Sequence, residues 1–134
     1  MGTVIEGHVL VEGHAEAAAL VLDEPLSLWG GLDPLTGRIV DVRHPQHGAV
    51  VTGRILVMPT GRGSSSSASV LAEAIRLGTA PAGIVLGEPD EIIAIGALVA
   101  AELYRIHVPV LVASAEAYSS ILIGDELSLP LRGV

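Results

Sequence analysis

The stretch Gly53-Arg54-Ile55-Leu56-Val57-Met58-Pro59-Thr60-Gly61-Arg62-Gly63-Ser64-Ser65-Ser66-Ser67 decides the architecture. It opens as a short apolar run that ends in Pro, the pattern of a buried strand. A Gly/Ser-rich segment follows. From about Ser66 to Leu77 the apolar positions Val70, Leu71, Ala74 and Ile75 fall on one helical face, and Gly78 stands where a helix closes. Strand, Gly/Ser loop and helix come in the order by which open α/β sheets bind ligands, beyond the carboxyl ends of their strands.

The pattern repeats toward the C-terminus. Ala82 to Leu86 reads as a second buried strand. Pro89-Asp90 starts another helix, with Asp90 as its cap and Ile93, Ala97, Ala100 and Tyr104 as its buried stripe. Pro109 to Ala113 is a third buried strand. Gly124-Asp125 is a turn before an alternating strand carrying Leu127, Leu129 and Leu131. Toward the N-terminus the reading changes. Thr3 to Glu12 alternates, with Ile5, Val9 and Val11 on one side and Glu6, His8 and Glu12 on the other, so one strand with a wet face is expected. Gly13-His14 is a turn, and Glu16 to Leu22 a further strand. Ser27 to Gly37 carries turn chemistry at Gly30-Gly31, Asp33-Pro34 and Thr36-Gly37. Arg38 to Val42 is a short strand, and Arg43 to Gly48 a loop. The expectation is a mixed α/β fold whose sheet has a parallel core flanked by helices and an antiparallel section. With no internal repeat and no long linker, residues 1–134 are expected to form a single domain.

Composition narrows the function. Half of the chain is hydrophobic, yet it has no Phe, one Trp and two Tyr, so the core must be built of Val, Leu, Ile and Ala. The net charge is −8, and the seven cations are scattered Arg with no Lys. A nucleic-acid binder would carry a basic stripe, and an anionic membrane surface would need one too. Neither partner is expected. The absence of Cys excludes disulfides, a thiol nucleophile and thiolate-held clusters in this chain. No charged-then-apolar leader is read, and no uninterrupted apolar run reaches about 18 residues, so a soluble cytoplasmic protein is expected. The mean hydropathy of +0.61 fits an apolar face that awaits a partner, or a core rich in Ala and Val.

The Gly/Ser loop carries the chemistry. Gly61 and Gly63 let backbone approach a ligand closely, and the positive end of the following helix favours an anion. Arg62 adds a planar fork suited to carboxylate or phosphate. Serine hydroxyls there can donate and accept, and an alkoxide would be stabilised by neighbouring amides. A helix cap with a polar turn is the plainer reading, but one Ser suffices as a cap, and four in succession are poor helix formers. The loop lacks the Gly-Lys-Ser/Thr ending of a Walker A motif and the Gly-x-Ser-x-Gly of a nucleophile elbow.

Other polar residues have local explanations. His44 and His47 have His-x-x-His spacing, with His8 and His14 elsewhere; loop anchoring is favoured over metal ligation, and no metal site is assigned. Trp29 could wall a pocket or plug the core. Asp33 and Asp41 suit turns. Glu88, Asp90 and Glu91 cluster where a helix dipole favours acids.

The segment from Gly53 to Ser67 resembles the swivelling-domain subunit of the aconitase X enzymes. So do Asp23 to Gly37, His44-Pro45, His47-Gly48, Gly78-Thr79-Ala80-Pro81, Ile95-Gly96-Ala97 and Val108-Pro109-Val110. The resemblance runs from near residue 4 to near residue 130. It implies a swivelling β/β/α domain that pairs with a larger aconitase-X-type catalytic subunit and helps to remove water from a small hydroxy acid. By the same resemblance Ser64 is the catalytic base, and Ser65 with backbone amides of the loop binds substrate oxygens or holds the alkoxide; Arg62, Gly63, Ser65 and Ser66 are the substrate-binding candidates of the loop. Where the wider aconitase pattern has an Arg directly after the Ser pair, this chain has Ser66, and the nearest Arg is Arg62. The iron or iron–sulfur centre of such enzymes is implied in the large subunit, with no cofactor bound by this chain. Two substrates belong to the family, phosphomevalonate in archaea and cis-3-hydroxy-L-proline in bacteria. The Gly-Arg-Gly followed by unbroken Ser is more similar to the hydroxyproline branch. A reading from another class is a non-catalytic carboxylate- or phosphate-binding or regulatory module that uses the same loop.

Overall fold

The computed structural model describes residues 2–129. Leu131, expected in the last strand, lies outside the described residues. In chain order the elements are β1 (Thr3–Val4), β2 (Gly7–Val11), β3 (Ala15–Val21), the single broken turn α1 (Leu28–Gly31), β4 (Leu32–Asp33) and β5 (Arg38–Ile39). Then follow β6 (Ile55–Met58), α2 (Ser67–Leu77), β7 (Gly83–Leu86), α3 (Glu91–Tyr104), β8 (Val110–Ala113), α4 (Ala115–Ser120) and β9 (Glu126–Leu129). The main sheet has the order β1-β9-β3-β6-β7-β8-β2, and β4-β5 form a small separate ribbon. Its centre, β3-β6-β7-β8, is parallel; β9 on β3 and β2 on β8 are antiparallel. This is the mixed fold with a parallel core and flanking helices that the sequence implied.

The N-terminal segment departs from expectation. Thr3 to Glu12 is two strands, and they sit at opposite ends of the sheet order. Only Ile5 and Glu6 join them. Three peptide steps reach about 10 Å at most, so the two edges must approach each other and the sheet must curl. The Ile5 amide donates to Ser128 O on one edge, and Glu6 O accepts from the Ser114 amide on the other, both at 3.2 Å. The register shift between Val9 and Val11 is the second departure. Val9 packs with Ile5 inside the curl, whereas Val11 joins the cluster beneath the helices. A bulge adds one residue and so turns the next side chain to the opposite face.

Alternation along the strands builds two cores. Ile55, Val57, Val85, Leu111, Leu127 and Leu129 point inward. The inward positions of β3 are Ala15, Ala17, Ala19 and Val21, three of them small enough for a tight curl. Leu56, Met58, Ile84, Leu86 and Val110 point outward to Leu71, Ile75, Ile93, Ala97 and Ala100 of the paired helices. The α3 stripe holds as expected at Ile93, Ala97 and Ala100, with Gly96 added. Tyr104 does not belong to it. It lines an open groove with Ala72, Glu73, Ile95 and Val99, because a seam built of Gly and Ala brings the helices too close for a ring. Gly78 closes α2 in the left-handed region at φ 79°. Of the strand expected at Arg38 to Val42, only Arg38–Ile39 pairs as a strand; Asp41 instead opens a turn by accepting from the Arg43 amide at 2.9 Å. No helix of the described residues is long and apolar enough to cross a membrane.

Candidate functional site

The loops that leave the carboxyl ends of β6 and β7 are fastened together. The Gly87 amide donates to Met58 O and Pro59 O, and the Glu88 amide to Pro59 O at 3.0 Å. Segment 22–26 joins them as it leaves β3: the Leu22 amide donates to Val57 O and Leu26 O accepts from the Arg62 amide at 3.2 Å. Between these segments lies a cleft of about 100 Å³. Leu26, Ile92 and Ile93 wall it, and Arg62, Gly63, Ser64, Ser67 and Asp90 give it polarity.

Two helices aim their positive ends at this cleft, and they differ. Asp90 caps α3, its Oδ1 accepting from the Ile92 amide at 2.9 Å and the Ile93 amide at 3.1 Å. Its charge offsets that dipole. α2 has no acidic residue in its first turn, and its N-cap Ser66 makes no side-chain cap bond. The uncompensated positive end is therefore that of α2, and an anion belongs there.

The loop ahead of α2 is a folded turn. The amides of Ser67 and Ala68 donate to Ser64 O and Ser65 O, at 3.0 and 3.2 Å. The Ser66 amide donates to Ser64 Oγ at 3.0 Å. The amides of Ser66, Ser67 and Ala68 at the start of the helix are thus already used. The amides of Gly63, Ser64 and Ser65 have no acceptor among the described residues, and these three residues are exposed. Gly63 lies at φ 93°, and a Cβ on it would come within 2.7 Å of Ser27 Oγ, so both its conformation and its space call for glycine. Of the residues singled out by sequence, Arg62, Gly63 and Ser64 line the cleft, while Ser65 and Ser66 do not.

Arg62 is drawn toward segment 22–26. Its Nη2 donates to Pro25 O at 2.6 Å and lies 3.9 Å from Glu24 Oε1. Both side chains of that ion pair are about half exposed, so it contributes at most about 1 kcal/mol. Trp29 is not a core plug. The residue is 59 % exposed, while its backbone is held at both ends: its amide donates to the buried Ser67 Oγ at 3.2 Å, and its carbonyl accepts from Ser27 Oγ at 2.9 Å. His44 is buried; its Nδ1 accepts from the Gln46 amide at 3.0 Å, which leaves Nε2–H to donate to Glu24 O at 3.1 Å. It anchors the loop beneath Arg62. Among the described residues no three His, Asp or Glu converge as a metal site.

Three features of the site were missed by sequence reasoning: the bridge from Leu26, the anchoring role of Ser67, and the second arm of Asp90. The last reaches the loop by accepting from the Gly61 amide at 3.0 Å. The capping signal at Asp90 was visible; its partner 29 residues away had no local mark.

The profile of the aconitase X swivel domain matches residues 4–132. A cis-3-hydroxy-L-proline dehydratase of Pseudomonas aeruginosa is 46% identical over 107 residues, which is 80% of this chain and 18% of that protein. The chain thus spans less than a fifth of that relative's length. A phosphomevalonate dehydratase small subunit of Methanothermobacter thermautotrophicus is 40% identical over 96 residues, 72% of this chain and 73% of that one. The crystal structure of Thermococcus kodakaraensis aconitase X in its holo form matches with a TM-score of 0.82 and 31% identity, covering 92% of this chain and 88% of that one.

Proposed function

This chain belongs to the aconitase X swivel-domain family, and from that premise we propose that it is the small subunit of a hydro-lyase, with Ser64 as the base. In this reading a larger catalytic subunit holds most of a hydroxy-acid substrate, and this chain closes over it. The observation that carries the proposal is the Ser64 hydroxyl at the cleft, its Oγ already accepting from the Ser66 amide, with three unengaged amides beside it.

A serine hydroxyl is a weak base in water. It becomes a usable one where donors fixed in advance stabilise the alkoxide and water is excluded. The Ser66 amide is such a donor. The amides of Gly63, Ser64 and Ser65, together with the uncompensated end of α2, suit a substrate carboxylate. Of the Arg62 guanidinium only Nη2 has an acceptor among the described residues, so the rest of its fork is open to the same carboxylate. Ser64, as its alkoxide, then takes the proton from the carbon next to that carboxylate. The C–H electron pair forms the new double bond, and the hydroxyl on the neighbouring carbon departs with the C–O pair. Closure keeps bulk water out meanwhile. The donor set of this chain does not fit an iron–sulfur centre, since it has no Cys and no convergent trio of other ligands among the described residues. Any such centre would belong to the partner.

The substrate proposed is cis-3-hydroxy-L-proline, supported by the 46% identity to the P. aeruginosa enzyme. Phosphomevalonate is the second reading, supported by the 40% identity to an archaeal small subunit whose length this chain nearly matches. The test is reconstitution. The chain alone is expected to be inactive, and with its large partner it should dehydrate cis-3-hydroxy-L-proline and leave phosphomevalonate untouched. Turnover of phosphomevalonate alone would transfer the assignment to the second reading. Binding of carboxylates without turnover of either compound would make the chain a non-catalytic module.

Closure has its own reporter, because Trp29 is the one tryptophan and stands exposed beside the loop. Its emission should shift to shorter wavelength and become less accessible to acrylamide when the partner is added. Emission unchanged in an active assembly would mean that closure does not cover this side of the site.

A further inference from the structure

Asp90 does more than cap a helix. Capping α3 requires one oxygen, and Oδ1 supplies it to the Ile92 and Ile93 amides. Oδ2 turns away from the helix and accepts from the Gly61 amide at 3.0 Å and from Thr60 Oγ1 at 3.4 Å. Gly61 has no side chain where the two segments meet: a Cβ there would lie 2.5 Å from Oδ2 and 3.3 Å from Ile93 Cγ1. The next residue is held from the other side, the Arg62 amide donating to Leu26 O. Three residues after Gly61 comes Ser64.

We propose that Asp90 is a positioning residue for Ser64, tying the start of the Gly/Ser loop to the start of α3 through the Gly61 amide. The proposal rests on the reading of Ser64 as the base. The loop is then fixed at two ends, by Asp90 upstream and by the first turn of α2 downstream. The single carboxylate also decides which helix end faces the ligand, since it offsets the dipole of α3 and leaves that of α2 open.

Asp90→Asn separates the cap from the tie. Asn is as good an N-cap as Asp, and its one carbonyl oxygen will face the two helix amides. Its amide group then meets the Gly61 N–H donor to donor. In the assembled enzyme D90N should keep its fold with only a modest drop in melting temperature and lose about tenfold to a hundredfold in kcat, the scale of a misplacement near 1 Å. KM should stay the same or fall, because a negative charge beside a carboxylate site is gone. Hydrogen exchange at the bonded amides of Gly61 and Arg62 in the full chain should accelerate selectively. Asp90→Ser, which also caps with one oxygen, should behave alike, and it decides the matter if D90N folds poorly. Full turnover in these variants, or a loss of kcat only in step with global stability, overturns the proposal. The two failures separate: exchange at Gly61 and Arg62 reports the tie whatever the reaction, whereas turnover of Ser64→Ala reports the base.

Discussion

Ser64→Ala is expected to lower kcat of the assembled enzyme by about 10²- to 10⁴-fold, the range that a positioned base contributes. The structure argues that the loss will be chemical. Ser64 is exposed, and its side chain makes one recorded bond, from the Ser66 amide to Oγ. Removing that oxygen leaves an exposed amide to water, so the melting temperature should hardly change. The backbone bonds that shape the turn, Ser67 N to Ser64 O and Ala68 N to Ser65 O, do not involve the side chain. Ser65→Ala supplies the comparison. It leaves the Ser64–Ser66 bond intact, and it should cost much less in kcat. Steady-state kinetics on both variants decides between them; near-normal turnover of Ser64→Ala would remove the base from this chain.

The second large effect concerns Gly96, at the seam of α2 and α3. Two terms oppose each other in Gly96→Ala. Alanine in a helix interior gains about 1 kcal/mol over glycine. Against this, the new Cβ would lie 2.8 Å from Ala68 O, 3.1 Å from Ala68 Cα and 3.2 Å from Leu71 Cβ. The first two are backbone atoms with no rotamer to change, so the helices themselves must separate. Overpacking of this kind typically costs about 1–3 kcal/mol. The steric term is expected to win, and chemical denaturation should show net destabilisation. Ala68 stands in the first turn of α2, immediately after the serine loop. The variant should therefore also lower kcat beyond what its stability explains. A raised denaturation midpoint would show that the seam has room to spare.

The local parts of this molecule were readable in advance. Ile55–Met58 is buried on both faces, so its unbroken apolar run marked it as a central strand. Asp90 and Gly78 announced helix ends by their own chemistry. What escaped was non-local. The alternation from Thr3 to Glu12 continues through Ile5 and Glu6 without a break, and nothing nearby says that the two halves pair with β9 and β8 respectively. The helix α4 has no buried residue and so no apolar stripe to betray it. At the site, the place of Ser64 after strand and glycines was legible. The exposure of Trp29, which rules out a core plug, goes with backbone bonds to Ser67 and Ser27 that composition does not encode.

The curl of the sheet sets an order of assembly. Thr3 pairs with Leu127, and Ala15 with Leu129, across more than a hundred residues. Such contacts repay the entropy of closing a very long loop only after the intervening chain has organised. The parallel unit β6-α2-β7-α3-β8 can form from near neighbours, and with it the serine turn. The edge made by β9 and β1 has to wait until residues 126–129 have been synthesised. Until then β1 and the inner alanines of β3 stand as an unpaired edge. A nascent or truncated chain lacking β9 would therefore present a preorganised serine loop on an open, aggregation-prone sheet.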